Sequence, residues 1–191
     1  MSEERASGRS AAKGLGGLES LLRAQAGGRL PPGGRWGPPY WGDIGMGPRR
    51  GRTGAHQGSP IGRKPLVRLF SRVLRRDLDQ RYYLVTPVEK IDVTVEDAPF
   101  MAVEMEVSGA GRDQSLVFRT NVDDVVACGP EHPVRFEPEA ETGGLKPYLH
   151  VRGRLEALVT RALYYDLVEL AVEEDDRLGV WSKGHFFVIA G

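Results

Sequence analysis

The chain of 191 residues balances 26 Lys/Arg against 26 Asp/Glu, is 40% hydrophobic and has one cysteine, the composition of one domain or two small ones sharing a core. The lone Cys128 excludes an intrachain disulfide, and with it any cysteine-rich zinc spacing. No apolar run reaches the ~18 residues a membrane helix needs, and no apolar leader follows Met1, so a cytoplasmic protein without membrane attachment is expected.

The neutral total hides an asymmetry. Residues 1–76 carry fifteen Lys/Arg and four Asp/Glu, a balance of +11, whereas residues 77–191 carry eleven and twenty-two, a balance of −11. A basic head can serve an anionic partner. Nucleic acid is disfavoured because no aromatic-basic interleaving accompanies the charge, and attraction between the halves of one chain, or of two copies in a homodimer, is the simpler expectation.

In chain order, residues 1–17 are Ser, Gly, Ala and charge, the composition of a disordered tail. Leu18, Leu21 and Leu22 then mark a short helical piece. In the Gly/Pro/Arg-rich stretch that follows, Trp36, Tyr40, Trp41 and Ile44 are apolar anchors on an extended backbone, expected to lie across the domain as a strap. Leu66, Leu69, Phe70, Val73 and Leu74 have the spacing of one buried helix face, with Arg68, Arg72, Arg75 and Arg76 opposite and Pro65 in the first turn. This helix is expected to rest on the strands that follow it.

Those strands begin at Tyr82–Thr86. Ile91, Val93 and Val95 then alternate with Asp92, Thr94 and Glu96, and Met101, Val103, Met105 and Val107 alternate with Ala102, Glu104 and Glu106, which predicts half-buried strands. Gly109–Gly111 turns the chain into a return strand at Ser115–Arg119. Phe118–Phe136 reads as a structured connection. Either Arg119, Thr120 and Asn121 present binding groups there, or Asn121 and Asp123 form turns and cap a helical piece at Val122–Ala127. After a strand at Pro147–Arg152, Leu155, Leu158, Val159, Ala162 and Leu163 repeat the first helix's spacing behind a second Gly-Arg pair, which predicts a second helix and a faint internal duplication. A final hairpin turns at Lys183-Gly184.

Phosphate-loop, dinucleotide and nucleophile-elbow motifs are absent. His56, His132, His150 and His185 are scattered. Cys128 with His132 offers a nucleophile and base, though packing explains the cysteine more simply.

The chain resembles the bacterial domain-of-unknown-function family 1285 from about residue 15 to 191. The likeness rests on Pro31-Pro32, W-x-P-P-x-x-G-D-I from Trp36 to Ile44, and S-P-I-G-R-K-P-L-V-R-L-F-S-R-V-L-R from Ser59. Beyond those come Y-Y-L-V-T-P-V-E-K from Tyr82, T-V-E-D-A-P-F from Thr94, F-R-T-N-V from Phe118, H-V-R-G from His150, and Y-Y-D-L-V-E-L from Tyr164 on to G-V-W-S. The resemblance implies an α+β protein of two small roll-like halves with repeated structural motifs, and a role in ligand sensing or signal transduction. The chain departs from the family where Trp41 replaces a usual cysteine and Gly45 a usual aspartate. The stretch Gly45–Ala55 shows no strand pattern and has the residues that GC-rich codons yield out of frame. That origin is our hypothesis, and an unbroken frame on resequencing the gene would remove it.

The expected architecture is α+β: a tail at 1–17, a strap-helix-strand subdomain at 18–87, and a β-roll subdomain at 88–191 with a last helix and hairpin. Each half is expected to pack a helix on a mostly antiparallel sheet, repeating a strand-helix-strand motif. The expected function is a non-enzymatic small-ligand-binding or regulatory module without a cofactor or metal. Its site would gather Arg119, Thr120, Asn121, Glu89, Lys90, Glu96, Asp97 and Asp43, with Arg119 or Lys90 holding a small anionic ligand. An enzyme using Asp43 and Asp97 as acid and base, and a charge-complementary interaction module, are the alternatives.

Overall fold

The computed structural model describes residues 37–38, 40–47, 55–56, 59–60, 64–140 and 142–190, with the backbone course alone at 41–47, 55–56, 59–60 and 64–66. The expected tail, the Leu18–Leu22 helical piece and Trp36 lie outside the described residues. The chain divides into two compact units, Met1–Glu96 and Asp97–Gly191; the boundary read from the sequence stood at 87/88.

In the first unit, strands β1 (Tyr40–Gly47), β2 (Ala55–His56) and β3 (Ser59–Pro60) precede helix α1 (Lys64–Val73). Strands β4 (Leu74–Arg76), β5 (Tyr82–Val85) and β6 (Lys90–Val93) follow it. They form one sheet in the order β3-β2-β1-β6-β5-β4, with β1 parallel to β6 and the other pairs antiparallel. Residues expected to form a strap are thus an inner strand. The stretch expected to lack a strand completes β1 at Gly45–Gly47 and pairs it with β2, while 48–54 lie outside the described residues.

The predicted helix face packs as its spacing requires. Leu69 and Val73 bury with Leu84, Ile91 and Val93, and Phe70, Leu74, Tyr82 and Val95 flank them, each fully buried side chain being worth roughly 1.5–3 kcal/mol before entropy. The helix stops at Val73 and the chain enters β4 without a loop, where Leu74 pairs with Leu84. Successive strand residues point to opposite faces. Leu84, Ile91 and Val93 therefore meet α1, and Arg75, Tyr83, Lys90 and Asp92 lie on the other side.

The second unit is built from strands: β7 (Phe100–Ser108), β8 (Ser115–Thr120), β9 (Val125–Ala127), β10 (Val134–Pro138), β11 (Leu145–Arg152), β12 (Leu155–Val159), helix α2 (Arg161–Glu169), then β13 (Val172–Glu174), β14 (Arg177–Ser182) and β15 (His185–Ala190). A curled, half-barrel sheet runs β10-β11-β12-β7-β8-β9, and a three-stranded sheet runs β13-β14-β15. Phe100, Leu116, Phe118, Leu149, Leu167 and Val180 are fully buried. The Lys183-Gly184 turn forms as expected, both residues at positive φ (49° and 70°), as a tight two-residue hairpin turn demands.

The α+β expectation of repeated helix-on-sheet halves is overturned. Among the described residues strand takes 52% and helix 15%, and the second unit is sheet on sheet. The apparent second helix began with a strand: Leu155, Ala157 and Val159 are buried and alternate with Glu156 and Leu158. Gly153, at φ 57°, turns β11 into β12 rather than opening a helix. In L-E-A-L-V-T-R-A-L, period 2 and period 3.6 both find apolar residues in a short window, so spacing alone did not separate them. The helix expected at Val122–Ala127 is likewise a turn followed by β9.

Candidate functional site: the outer face of the N-terminal sheet

The sheet face turned away from α1 carries a row of charge in which each group meets an opposite one. Asp77 accepts from Arg75 at 2.5 and 3.1 Å and from Lys90 Nζ at 2.7 Å. Lys90 also lies 3.7 Å from the centroid of the Tyr83 ring, within the range of a cation–π contact. Across the strands Tyr83 pairs with Asp92 and Arg75 with Tyr83. Arg81 forms an ion pair with Asp92, and its guanidinium carbon stands 5.8 Å from the Tyr83 centroid. Tyr40 sets its ring edge-on to Tyr83 at 6.2 Å and directs its hydroxyl towards Asp92 at 3.4 Å. The Asp92 side chain is 9% exposed and that of Arg81 56%.

The loop joining β4 to β5 ties this row together. Asp77 N–H donates to Arg81 O at 3.0 Å and Gln80 N–H to Asp77 O at 3.1 Å, with Gln80 at φ 65°. Asp79 accepts from Tyr83 Oη at 2.7 Å and from Arg81 N–H at 3.0 Å. Burial would raise the Asp77 carboxyl, but hydrogen bonds and charge from Arg75 and Lys90 outweigh it and hold the group below its ordinary range. The Tyr83 hydrogen bond does the same for Asp79, and in return raises the Tyr83 phenol. Two cations on one carboxylate, and a buried carboxylate beside two aromatic rings, are the parts of a site that recognises charged groups.

Of the residues expected to form a site, Lys90 belongs to this row, and Asp43 lies in β1 in register with Asp92. Glu89 is buried, its N–H donating to Thr86 Oγ1 at 3.1 Å in the turn between β5 and β6. Glu96 is exposed at the end of the first unit. The other four lie in the second unit, so Asp43 and Asp97, the paired carboxylates of the enzyme alternative, belong to different units. Asp97 accepts from Tyr148 Oη at 2.7 Å and Lys146 Nζ at 3.0 Å; burial and Asp97 push the Tyr148 phenol up.

Arg119, Thr120 and Asn121 do not converge. Arg119 faces outward and is paired with Glu104 and Asp123. Thr120 is fully buried, and its Oγ1 accepts from the backbone N–H of Asp124 at 3.1 Å. Asn121 Oδ1 accepts from Met101 N–H at 3.0 Å. The Cys128 thiol is buried, and desolvation raises it to about 11, the opposite of an activated nucleophile. Among the described residues, no three His, Cys, Asp or Glu side chains are grouped to hold a metal ion, and no helix is long and apolar enough to cross a membrane.

Sequence reasoning missed Arg75, Asp77, Arg81, Tyr83 and Asp92. D-L-D-Q-R reads as a polar turn, and Asp92 as the solvated half of an alternation. The signal lay in the strand pairing: β5 and β6 in a hairpin put Tyr83 against Asp92, two residues that each looked unremarkable alone.

Comparison with known proteins places the chain. Residues 31–98 match the family described as domain of unknown function (DUF1285), N-terminal domain, and residues 99–189 match protein of unknown function (DUF1285), C-terminal domain. A DUF1285 family protein from Silicibacter pomeroyi DSS-3, of known crystal structure, is 45% identical with a TM-score of 0.84, over 91% of this chain and 94% of that one. Another from Shewanella baltica OS155 is 25% identical with a TM-score of 0.47, over 68% and 89%. No curated protein matches. The chain belongs to the DUF1285 family.

Proposed function

We propose that the protein is a small-ligand-binding module of regulatory type, and that it binds on the outer face of the N-terminal sheet. The observation that carries this reading is the content of that face: Arg75, Asp77, Lys90, Tyr83, Asp92 and Arg81 stand in mutual contact where the fold needs no charge. The apolar cluster beneath α1 is made by the other face, and on this one Tyr83 and Val85 are buried beside the charges. A buried carboxylate and its partner rarely add stability over well-packed apolar side chains, so such a row fits recognition better than support. Lys90, with Arg75, holds an anionic group of the ligand, and the sequence-predicted Asp43 stands in β1 in register with Asp92. Binding, and not catalysis, is favoured because every charge in the row stands against an opposite one, the arrangement of a recognition surface rather than of a poised acid or base.

The test is native mass spectrometry of protein purified without added ligand, followed by denaturation to release what is bound. The expected result is a small anion at substantial occupancy, reduced at least about tenfold in Lys90→Gln, which loses a charge-assisted contact. An empty protein whose Tyr83 and Lys90 NMR signals also ignore added carboxylates and phosphate refutes the reading, and a salt-sensitive dimer in that preparation would favour self-association.

A further inference from the structure

We infer that the loop between β4 and β5, residues 77–81, is an internal stand-in for the ligand, and that the ligand carries a carboxylate and a cation on one short frame, as an amino acid or guanidino acid does. This rests on the binding reading above and adds the ligand's chemistry and the element it displaces. The loop lays two carboxylates and one cation on the sheet, of which Asp79 holds the Tyr83 hydroxyl and the other two meet opposite charges. Asp77 supplies a carboxylate to the two cations Arg75 and Lys90, and Arg81 supplies a guanidinium to the buried carboxylate of Asp92, beside the Tyr83 ring. The two residues face each other at the base of the loop, Asp77 N–H bonding Arg81 O at 3.0 Å, so their side chains leave from neighbouring backbone positions. Their charges start from the separation that a single small zwitterion spans.

Three features mark the loop as replaceable. Its closure is made by the backbone, through Asp77 N–H to Arg81 O and Gln80 N–H to Asp77 O, and by Asp79 Oδ1, which accepts from Arg81 N–H at 3.0 Å, so the side chains of Asp77 and Arg81 are not needed to form the turn. Leu78 at its tip is 78% exposed and Gln80 holds a left-handed φ of 65°, a conformation that non-glycine residues adopt at a cost. In the Arg81–Asp92 pair the exposed partner belongs to the loop and the buried one to the sheet. A ligand cation arriving from solvent can therefore take the place of Arg81 without unburying Asp92.

A self-occupied site has its affinity scaled down by the fraction of time it stands open. The full chain is compared with its Asp77→Asn/Arg81→Gln variant by calorimetric titration with L-arginine, and with acetate and guanidinium as single-charge probes. The double variant is expected to bind L-arginine at least about tenfold more tightly than the wild type, to bind each single-charge probe more weakly than L-arginine, and to lose binding when Asp92→Asn is added. Thermal melting verifies folding, and Arg81→Gln alone, probed in the same way, serves if the double variant does not fold. A folded variant that binds L-arginine no better than the wild type overturns the inference, as does an equal gain for either single-charge probe. The two readings fail separately. A co-purified anion that needs Lys90 but is indifferent to the loop substitutions removes this inference and leaves the binding site, whereas an unresponsive, empty protein removes both.

Discussion

The two units use polar side chains in different ways. In the N-terminal unit they bond one another: Arg75 and Lys90 to Asp77, Tyr83 to Asp79, Arg81 to Asp92. In the C-terminal unit Asp97 bonds the side chains of Tyr148 and Lys146, but the most deeply buried polar groups bond the backbone. Ser182 Oγ accepts from Leu116 N–H at 3.0 Å and donates to Cys128 O at 2.8 Å, and Gln114 Nε2 donates to Trp181 O at 2.9 Å. Thr120 and Asn121 do likewise for the turn after β8. A side chain that completes a backbone group has no other partner to offer and acts as a stitch. A side chain paired with another side chain can exchange it. That contrast is why the candidate site is placed on the first unit.

Breaking a stitch is expected to have the largest effect. Ser182 is fully buried and joins β14 to the strand ends at Leu116 and Cys128. Ser182→Ala leaves one backbone donor and one acceptor buried without their partner, and at about 1–3 kcal/mol for each such group it should cost roughly 2–6 kcal/mol. Denaturant unfolding followed by the fluorescence of the adjacent Trp181 measures it. A loss no larger than that of a surface substitution would mean the hydroxyl is not a stitch.

The same contrast explains what could be read from the sequence. The α1 face from Leu69 to Val73, the strands β5 and β6 taken singly and the Lys183-Gly184 turn were legible because one local pattern or one turn dipeptide decides each. The strand β7 was legible only in part. Met105 is half-buried opposite the buried Phe118 as the alternation predicts, but Val107, opposite Leu116, is exposed, and a register shift between Ala102 and Glu104 reverses the phase before them. Phe100 and Ala102 are buried there, and Val103 is exposed. A bulge of this kind is set by the partner strand and leaves no mark on the alternation itself. The candidate site was harder still, because Tyr83 and Asp92, or Asp77 and Lys90, become neighbours only through pairing. Arg119, Thr120 and Asn121, adjacent in sequence, are sent to different partners by the same geometry.

A smaller effect is expected from acid. The Asp77 carboxyl is held below its ordinary value in the folded chain, so its contribution to stability is present above about pH 3.9. It is lost as pH falls through the lowered folded value. Asp77→Asn removes that group, and its acid unfolding curve should be flatter below pH 4 than that of the wild type, with the two converging at the lowest pH. Circular dichroism across an acid titration shows it; parallel curves would mean that Arg75 and Lys90 do not grip the carboxylate in solution.

The smallest effect separates exposed charge from the N-terminal row. On the outer face of the C-terminal sheet Arg119 is gripped by both Glu104 and Asp123, and Arg135 by Glu137 and Glu156. By contact alone these clusters resemble the row at Asp77 and Asp92. Their setting differs: the Glu104 side chain is 60% exposed, against 9% for Asp92. Water and salt screen an exposed pair, and ordering two long side chains offsets much of the attraction that remains. Asp123 also stays behind to hold Arg119. Glu104→Gln should therefore leave the melting midpoint unchanged at both low and high salt. A clear, salt-dependent drop would show that this sheet face also holds its charges in a fixed arrangement, and the distinction that places the site on the first unit would lose its physical basis.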